Sequence, residues 1–502
     1  MLSALIWIPV LGAIAIGCWP QDEQGKQARR IALAISGGLF LWTLYLGFRF
    51  DPQQTQTQFT EYLPWIAGLG LNYHLGLDGL SLPLIFLNSF LTPIAIYSSS
   101  PALPRQRFYY ALLLLLHAGA AGAFLAQDLL LFFLFYELEL IPLYFLIAIW
   151  GGGRRGYAAM KFLIYTSISG FFVLISFLGV VWLTGAPNFD YKPLAAQVLP
   201  LSQQILLLVP LLLGLFIKIP IFPFHTWLPD AHVEASTPIS VLLAGVLLKL
   251  GTYGLLRFGV GMFLDAWVVL APYLAYLAAI SALYGAFAAI AQQDMKKVVA
   301  YSSIAHMSYI LLAATATTPL SLEAAVCQMI GHGLISALLF LVVGVVYKKT
   351  GSRDVNYLVG LLNPERGLPL IGSLTILGVM ASAGLPGMIG FIAEFLVFRS
   401  SFPLFPIPTL LCMVGTGLTA VYFLLMVNKV FFGRLTPELG QLPRVDWSDR
   451  FPPIILAVFI IIFGLQPSWM VRWSETQTAA LIISPELRVS QSQSLSAMKT
   501  LH

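Results

Sequence analysis

The sequence predicts an all-α integral membrane protein with about 14 membrane-spanning helices. The chain has 502 residues, of which 58% are hydrophobic and only 10% are charged, whereas soluble domains carry roughly 25% charged residues. Its mean hydropathy is +0.85, so charge is too sparse to cover a water-soluble surface of this size. The formal net charge of +5 fits loops on the cytoplasmic side of a membrane. We therefore expect lipid and no nucleic acid as a partner.

Fourteen mostly apolar segments are each long enough to cross a bilayer, which takes about 20 residues. The first is apolar from residue 2 and lacks a basic region and a cleavage site, so it predicts a retained helix. The seventh and the twelfth contain proline and glycine, which predicts that both helices are broken. The segments lie near 2–20, 31–50, 79–98, 109–126, 128–150, 161–184, 204–224, 239–258, 267–291, 300–317, 323–347, 368–399, 408–432 and 452–471.

Lysine and arginine are distributed unevenly between the loops. Loops after odd-numbered spans hold 18 of the 27, and the opposite side holds seven. This bias predicts that the odd-numbered loops are cytoplasmic and that both termini lie on the other side. A wrong number of spans would have disturbed the bias. The remaining two, Lys218 and Lys249, fall inside spans.

Ionisable side chains inside the spans are the main functional signal. A lysine in mid-membrane costs about 2.5–3.5 kcal/mol, so an intramembrane charge suggests a functional site. Four such groups on four helices would be strongly unfavourable unless they shared a hydrated interior. There a lysine can switch between charged and neutral as a carboxylate approaches or leaves, which a proton relay requires. These four are Glu137, Lys218, Lys249 and Glu394.

Histidines in or beside the spans have weaker signals. For His306 and His332 we weigh a relay role equally against simple interhelical hydrogen bonding. His225 and His232 flank a loop and lack the H-E-x-x-H spacing, so capping or interface roles are favoured over a metal site. The scattered cysteines have no metal-ligand spacing either, and we expect no metal in this chain. Glu139 lies on a different helical face from Glu137, so at most one of them is expected to face a given partner.

The broken helices predict a polar interior. Pro220 and Pro223 have no N–H for the carbonyls of Phe216 and Ile219, so those carbonyls should line a polar cavity. The twelfth span repeats this arrangement with Pro386 and Gly387. Paired interrupted helices indicate a transporter built from two inverted repeats. We assign 1–108 to three N-terminal helices, 109–258 and 259–432 to two five-helix repeats, and 433–502 to a loop, the last helix and a tail.

The stretch "FIKIPIFPFHTWLPDAHVEASTPISVLLAGVLLKLGTYGLLRF" closely resembles a motif of the antiporter-like proton-pumping subunits. This family includes membrane subunits of respiratory complex I, the photosynthetic NAD(P)H dehydrogenase complexes and Mrp-type cation/proton antiporters. The likeness extends from about residue 70 to 430. Glu394 stands where subunits 2 and 5 carry lysine, and "YELELIPLYFLIAIWGG" is similar to the cyanobacterial and chloroplast form of subunit 4.

The resemblance implies a role for each matched residue. Glu137 matches the glutamate of helix five that modulates the lysine of helix seven, Lys218. Lys249 matches the central lysine of helix eight, and Glu394 matches the terminal group on the exit path. His306 and His332 match polar positions between them, and Glu139, His225 and His232 are accessory candidates. Protons would move along this path when electrons reach plastoquinone in other subunits.

The resemblance also implies the setting. The chain would be a multi-pass subunit of a translocase in the cyanobacterial thylakoid membrane, with lumenal termini. It would bind no cofactor itself, because plastoquinone and the iron–sulfur clusters belong to other membrane and peripheral subunits. "VEASTP" replaces the usual "GEAPAP", and Gly153 replaces a common lysine. These departures suggest a variant complex for carbon dioxide uptake with a carbonic-anhydrase-like subunit.

Two other functions remain open from the sequence. One is an Mrp-type antiporter subunit without redox partners, which would exchange protons for cations in the absence of an electron donor. The other is a membrane scaffold whose polar residues only hold helices together. The set of four intramembrane charges argues against the scaffold. The serine-rich segment after Leu487 is expected to be flexible or to lie over a neighbouring subunit.

Overall fold

The structure, a computed structural model, describes residues 1–18, 26–365, 367–440 and 442–482. The predicted serine-rich tail lies outside these ranges. The helices of the first half are α1 (Ala4–Cys18), α2 (Lys26–Arg49), α3 (Ser81–Ser98), α4 (Gln106–Leu125), α5 (Leu129–Leu138), α6 (Leu140–Trp150), α7 (Arg155–Thr184), α8 (Pro193–Gln197), α9 (Leu201–Lys218) and α10 (Trp227–Glu234).

The other helices follow in the second half of the chain. They are α11 (Thr237–Leu242), α12 (Leu248–Gly254), α13 (Leu264–Ile290), α14 (Met295–Ala316), α15 (Pro319–Thr350), α16 (Pro369–Ser382), α17 (Ile389–Ser401), α18 (Pro406–Phe431), α19 (Trp447–Leu465) and α20 (Ser468–Leu481). Two π-helical segments, Leu243–Leu247 and Leu255–Val260, join α11 and α12 into one continuous helix, Thr237–Val260. We call it the Lys249 helix.

The predicted helical membrane fold is confirmed, although the span count differs. Within the described ranges, twelve helices are long and apolar enough to cross a membrane. The predicted first span contains only the shorter helix α1, and the predicted twelfth span is divided between α16 and α17. The structure also contains an antiparallel hairpin that was not predicted, formed by β1 (Gln58–Ile66) and β2 (Leu71–Leu77).

Both predicted helix breaks are present, but the backbone groups at the first break are hydrogen-bonded differently from the prediction. The carbonyl of Phe216 accepts a hydrogen bond from the Ile221 amide at 3.0 Å, and so is not left for water. The Trp227 indole donates to the Ile217 carbonyl at 2.8 Å, and the Phe222 amide donates to the Ser281 hydroxyl at 3.1 Å. The nearby Ile221 amide therefore satisfies the Phe216 carbonyl, and two side chains satisfy neighbouring backbone groups at the break.

Similar aspartate caps occur in the two halves of the chain. Asp128 caps α5 by accepting from the Leu131 amide, and it forms an isolated β-bridge with Asp190. Asp294 caps α14 in the same way, and it forms a bridge with Asp354. The first pair lies on loops after even-numbered spans and the second on loops after odd-numbered spans. We call these two ends of the molecule the even-loop side and the odd-loop side.

Close packing between α13 and α14 generates a test of the fold. A methyl group at Gly285 would lie 2.8 Å from the backbone nitrogen of Ala305, which cannot move without the helix. We expect Gly285→Ala to lower the free energy of unfolding by about 1–3 kcal/mol through overpacking. The measurement is the thermal midpoint of the detergent-solubilised protein.

The matched control is Gly417→Ala on the exposed face of α18. A methyl group there meets no described atom within 4 Å. Both changes gain the same helix propensity, so the difference between them isolates the clash. Equal midpoints for the two variants would contradict the packing of α13 against α14.

Candidate functional site

Lys218 forms an ion pair with Glu139, and both side chains are almost fully buried. Lys218 is the last residue of α9, and Glu139 occupies the joint between α5 and α6. Pro142 follows three residues after Glu139, in the first turn of α6, and has no N–H to continue the hydrogen bonding of α5 across the joint. The Tyr136 ring lies 4.5 Å from the Lys218 nitrogen and adds a cation–π contact. Lys218 therefore contacts two side chains that are three residues apart in the sequence, Glu139 and Tyr136.

The sequence favoured Glu137 over Glu139 as the carboxylate that acts on Lys218. The observed ion pair is with Glu139, which the sequence indicated only as an accessory candidate. Glu137 faces α7 instead, beside Gly170, where a methyl group would collide with its carboxylate. Its Oε1 atom has no hydrogen-bond partner among the described residues. The adjacent joint turns the two glutamates in different directions, as their separation by two residues predicts.

The Lys249 helix presents its lysine to α15. The Lys249 nitrogen lies 2.5 Å from the Ala244 carbonyl and 2.7 Å from His332 Nδ1. Ala244 lies in the first π-helical segment, where the widened turn alters the regular hydrogen bonding and leaves this carbonyl in reach. Gly245 and Gly333 let the two backbones approach, since a methyl group at Gly333 would lie 3.0 Å from the Gly245 carbonyl. Small residues thus set the Lys249–His332 contact.

His306 and Glu394 form the next contact of the site. His306 Nδ1 lies 3.2 Å from Glu394 Oε1, and His306 Nε2 lies 3.0 Å from the Ser382 hydroxyl. The His306 and His332 rings are 5.9 Å apart between centroids. A cavity of about 10 Å³ lies among these residues and Gln328, which is close to the space that one water needs. The break between α16 and α17 brings Ser382 and Glu394 to the same histidine.

Six buried side chains therefore follow one another through the protein interior. We call them the polar row, and they are Glu139, Lys218, Lys249, His332, His306 and Glu394. Lys218 packs beside the Lys249 helix, because a methyl group at Gly251 would lie 3.2 Å from the Lys218 Cβ. The row combines cationic, imidazole and carboxylate groups, which can all exchange protons.

Two further histidines, His225 and His232, were accessory candidates. His232 is fully buried and stacks on Phe340 with 4.4 Å between ring centroids. Neither of its ring nitrogens has a hydrogen-bond partner in the described part of the chain. His225 packs against Phe222 and Tyr284. No group of three or more His, Cys, Asp and Glu residues in the described ranges is placed to hold a metal ion.

The odd-loop side contains a cavity of about 510 Å³. Lys296 is buried at its wall and donates to the Ala235 carbonyl, and Arg353 donates to the Val233 carbonyl at 2.9 Å. These cations lie at the carboxyl end of α10, where the helix dipole favours positive charge. Gly153 and the "VEASTP" segment, the two departures noted in the sequence, also line the cavity.

Sequence reasoning missed a buried ion pair between Arg257 and Asp78. Both side chains are almost fully buried, and Arg257 lies at the end of the predicted span 239–258. The available signal was the position of Arg257 on the apolar extension of the Lys249 helix. The π-helical segments themselves have no sequence signature that we could have used.

Comparison with known proteins places the chain in a family. Residues 126–419 match the family model for the membrane domain described as "NADH:quinone oxidoreductase/Mrp antiporter, TM". A NAD(P)H-quinone oxidoreductase chain 4 of Picosynechococcus sp. is 42% identical over 463 residues, covering 90% of this chain and 84% of the relative. A chain 4 protein of Synechococcus sp. is 42% identical over 473 residues, covering 92% of this chain and 89% of the relative.

Solved structures give the same result for the fold. A chain of respiratory complex I from Thermus thermophilus superimposes with a TM-score of 0.86 at 25% identity, covering 96% of this chain and 100% of that one. A chain of the Mrp complex from Dietzia sp. superimposes with a TM-score of 0.85 at 20% identity, covering 96% and 97%, and shows a shared fold alone. The chain belongs to the NADH:quinone oxidoreductase/Mrp antiporter membrane family, with cyanobacterial chain 4 proteins among its relatives.

Proposed function

We propose that this chain is the proton-translocating membrane subunit of a complex I-like quinone oxidoreductase, in which electron transfer elsewhere drives protons through it. The observation that carries the proposal is the polar row, a buried series of proton-exchanging groups that crosses both repeats. A scaffold would gain little from it, because buried ion pairs are on average no more stabilising than apolar packing of the same volume.

The Glu139–Lys218 pair is the switch at one end of the row. While Glu139 and Lys218 are in contact, the Glu139 carboxylate stabilises the charge on Lys218. A change in neighbouring subunits that draws Glu139 away makes release of the Lys218 proton toward Lys249 favourable. Glu137 is a second carboxylate near this lysine, and the resemblance assigns it the modulating role. In our proposal Glu139 holds Lys218 in the resting state, and Glu137 acts on the pair from the α7 side.

Lys249 passes the proton to the second repeat. His332 Nδ1 is within hydrogen-bond distance of the Lys249 nitrogen, and its ring is the bridge to His306. His306 then delivers the proton to Glu394, the terminal group, while the Ser382 hydroxyl orients the His306 ring. A single water in the small cavity would connect the two rings. His225 and His232 stand beside the path as accessory groups.

The setting of the pump is part of the proposal. Support comes from the chain 4 relatives and from the excess of basic residues in the odd-numbered loops. We place the chain in the thylakoid membrane with the odd-loop side in the cytoplasm. Plastoquinone and iron–sulfur clusters belong to other subunits, with NAD(P)H or ferredoxin as donor. The two departures that line the odd-loop cavity support a variant complex for carbon dioxide uptake.

The first test removes the lysine of the switch. We expect Lys218→Ala to lower the number of protons moved per electron, because one translocating subunit is silenced while electron transfer continues. Transport through this subunit should fall about tenfold or more, equivalent to about 1.4 kcal/mol in the barrier. The measurement is proton uptake and quinone reduction by the purified complex in vesicles, with Lys429→Ala on the exposed face of α18 as the control.

The outcomes separate the alternatives. An unchanged ratio in Lys218→Ala and also in Lys249→Met would leave the scaffold as the better account. Salt-driven proton exchange by vesicles that contain no electron donor would instead favour the Mrp-type antiporter. Loss of coupled pumping in the lysine variants alone supports the proposed relay.

The second test compares the two glutamates. Glu139→Gln leaves the Lys218 charge buried without its partner, and breaking such a pair costs about 3–5 kcal/mol. We expect it to reduce both pumping and the thermal midpoint of the complex. Glu137→Gln should reduce pumping with little change in the midpoint, since Glu137 forms no observed ion pair. A larger loss of stability in Glu137→Gln would contradict the assignment of Glu139 as the resting partner.

The third test identifies the companions of the chain. Affinity purification of the tagged chain in mild detergent, followed by mass spectrometry, should recover quinone-reductase subunits of the complex. Recovery of a carbonic-anhydrase-like protein with them supports the carbon dioxide uptake form. Redox subunits without that protein would point to the respiratory and cyclic electron flow form, and antiporter subunits alone would overturn the proposal.

A further inference from the structure

The Arg257–Asp78 ion pair lies on the even-loop side, away from the cavity of the odd-loop side. Arg257 belongs to the second π-helical segment of the Lys249 helix, eight residues beyond Lys249. Eight residues of helix correspond to about 12 Å. The pair therefore stands between the central lysine and this end of the first repeat.

Asp78 is held from two directions. Its Oδ1 atom accepts hydrogen bonds from the backbone amides of Leu80 and Ser81, at 3.1 Å and 3.0 Å, at the start of α3. Its Oδ2 atom accepts from the Arg257 guanidinium. The Asp78 carboxylate thus connects the end of the Lys249 helix to the beginning of α3. One oxygen atom caps α3, and the other pairs with Arg257.

Aromatic rings close the space around the guanidinium. The Arg257 carbon lies 5.0 Å from the Tyr191 ring centroid and 5.5 Å from that of Tyr253. The Tyr191 hydroxyl donates to the Arg257 carbonyl at 2.9 Å, and the Tyr253 hydroxyl donates to the Phe124 carbonyl at 3.0 Å. The pair is therefore packed among α3, α4, the Lys249 helix and the loop that holds Tyr191.

We propose that the Asp78–Arg257 pair is the seal that prevents protons on Lys249 from leaving through the even-loop side of the first repeat. The inference rests on the proposed function, because it concerns the direction of the same relay. Arg257 Nε and Nη2 have no hydrogen-bond partner in the described part of the protein, so removal of the Asp78 charge would leave a buried cation that attracts water. Water beside Arg257 would connect Lys249 to the even-loop side.

The test uses Asp78→Asn in the complete complex, reconstituted into vesicles. Asparagine keeps an oxygen for the amides of α3, as it does at helix N-caps, but removes the charge. We expect passive proton leak after an imposed pH step to rise about tenfold, which corresponds to a barrier lower by about 1.4 kcal/mol. Quinone reduction should persist while the steady proton gradient falls.

Two further variants make the result specific. Asp128→Asn changes another carboxylate that caps a helix on the same side without an arginine partner, and it should not leak. Adding Lys249→Met to Asp78→Asn should remove the leak, because the leak passes through Lys249. Arg257→Lys keeps a cation opposite Asp78 and should leak far less than tenfold above the unchanged complex. This variant can be measured even if removal of the Asp78 charge prevents assembly.

Each outcome has a definite meaning. No increase in proton leak in Asp78→Asn, or a tenfold increase over the unchanged complex in Arg257→Lys, would overturn the seal. A leak that survives Lys249→Met would also overturn it, because the path would then bypass the relay. Failure of the proposed function would be recognised by a different result. Lys249→Met alone would then retain full pumping, with no increase in passive proton leak.

Discussion

Buried charge in an apolar protein is the constraint on which the rest of this structure depends. An ionised side chain taken out of water is costly unless a partner or a hydrogen bond compensates it. Lys218 satisfies this condition at the end of a broken helix, Lys249 beside a π-helical segment, and Glu394 after the second break. The irregular backbone is therefore located where charges need partners, and the regular helices surround it.

The sequence predicted the parts of this arrangement that depend on composition and local chemistry. Apolar length predicted most of the spans, and proline with glycine predicted both breaks. The sequence favoured Glu137 for Lys218, whereas the observed ion pair is with Glu139, which lies at the joint between α5 and α6. The position of that joint decides which carboxylate reaches the lysine, and the apolar pattern of the segment does not indicate it.

Contacts between distant segments account for the other differences. The sequence left the Phe216 carbonyl at the first break without a partner, whereas the Ile221 amide donates to it in the folded protein. The Trp227 indole and the Ser281 hydroxyl also bond to neighbouring backbone groups there. The ion pair of Arg257 was not predicted, because its partner, Asp78, is 179 residues away in the sequence. The hairpin of β1 and β2 was missed as well, since hydropathy finds spans but gives no information on the pairing of polar segments between them.

The chemistry of the polar row explains why its two ends must both be buried. In water, transfer of a proton from a lysine ammonium to a glutamate carboxylate costs about 8 kcal/mol. The same kind of transfer between two buried groups neutralises two ions, and each buried ion has a desolvation penalty of several kcal/mol. The two terms are of the same size and opposite sign, so burial brings the transfer close to balance. A small movement of a partner charge, such as Glu139 at Lys218, can then decide its direction.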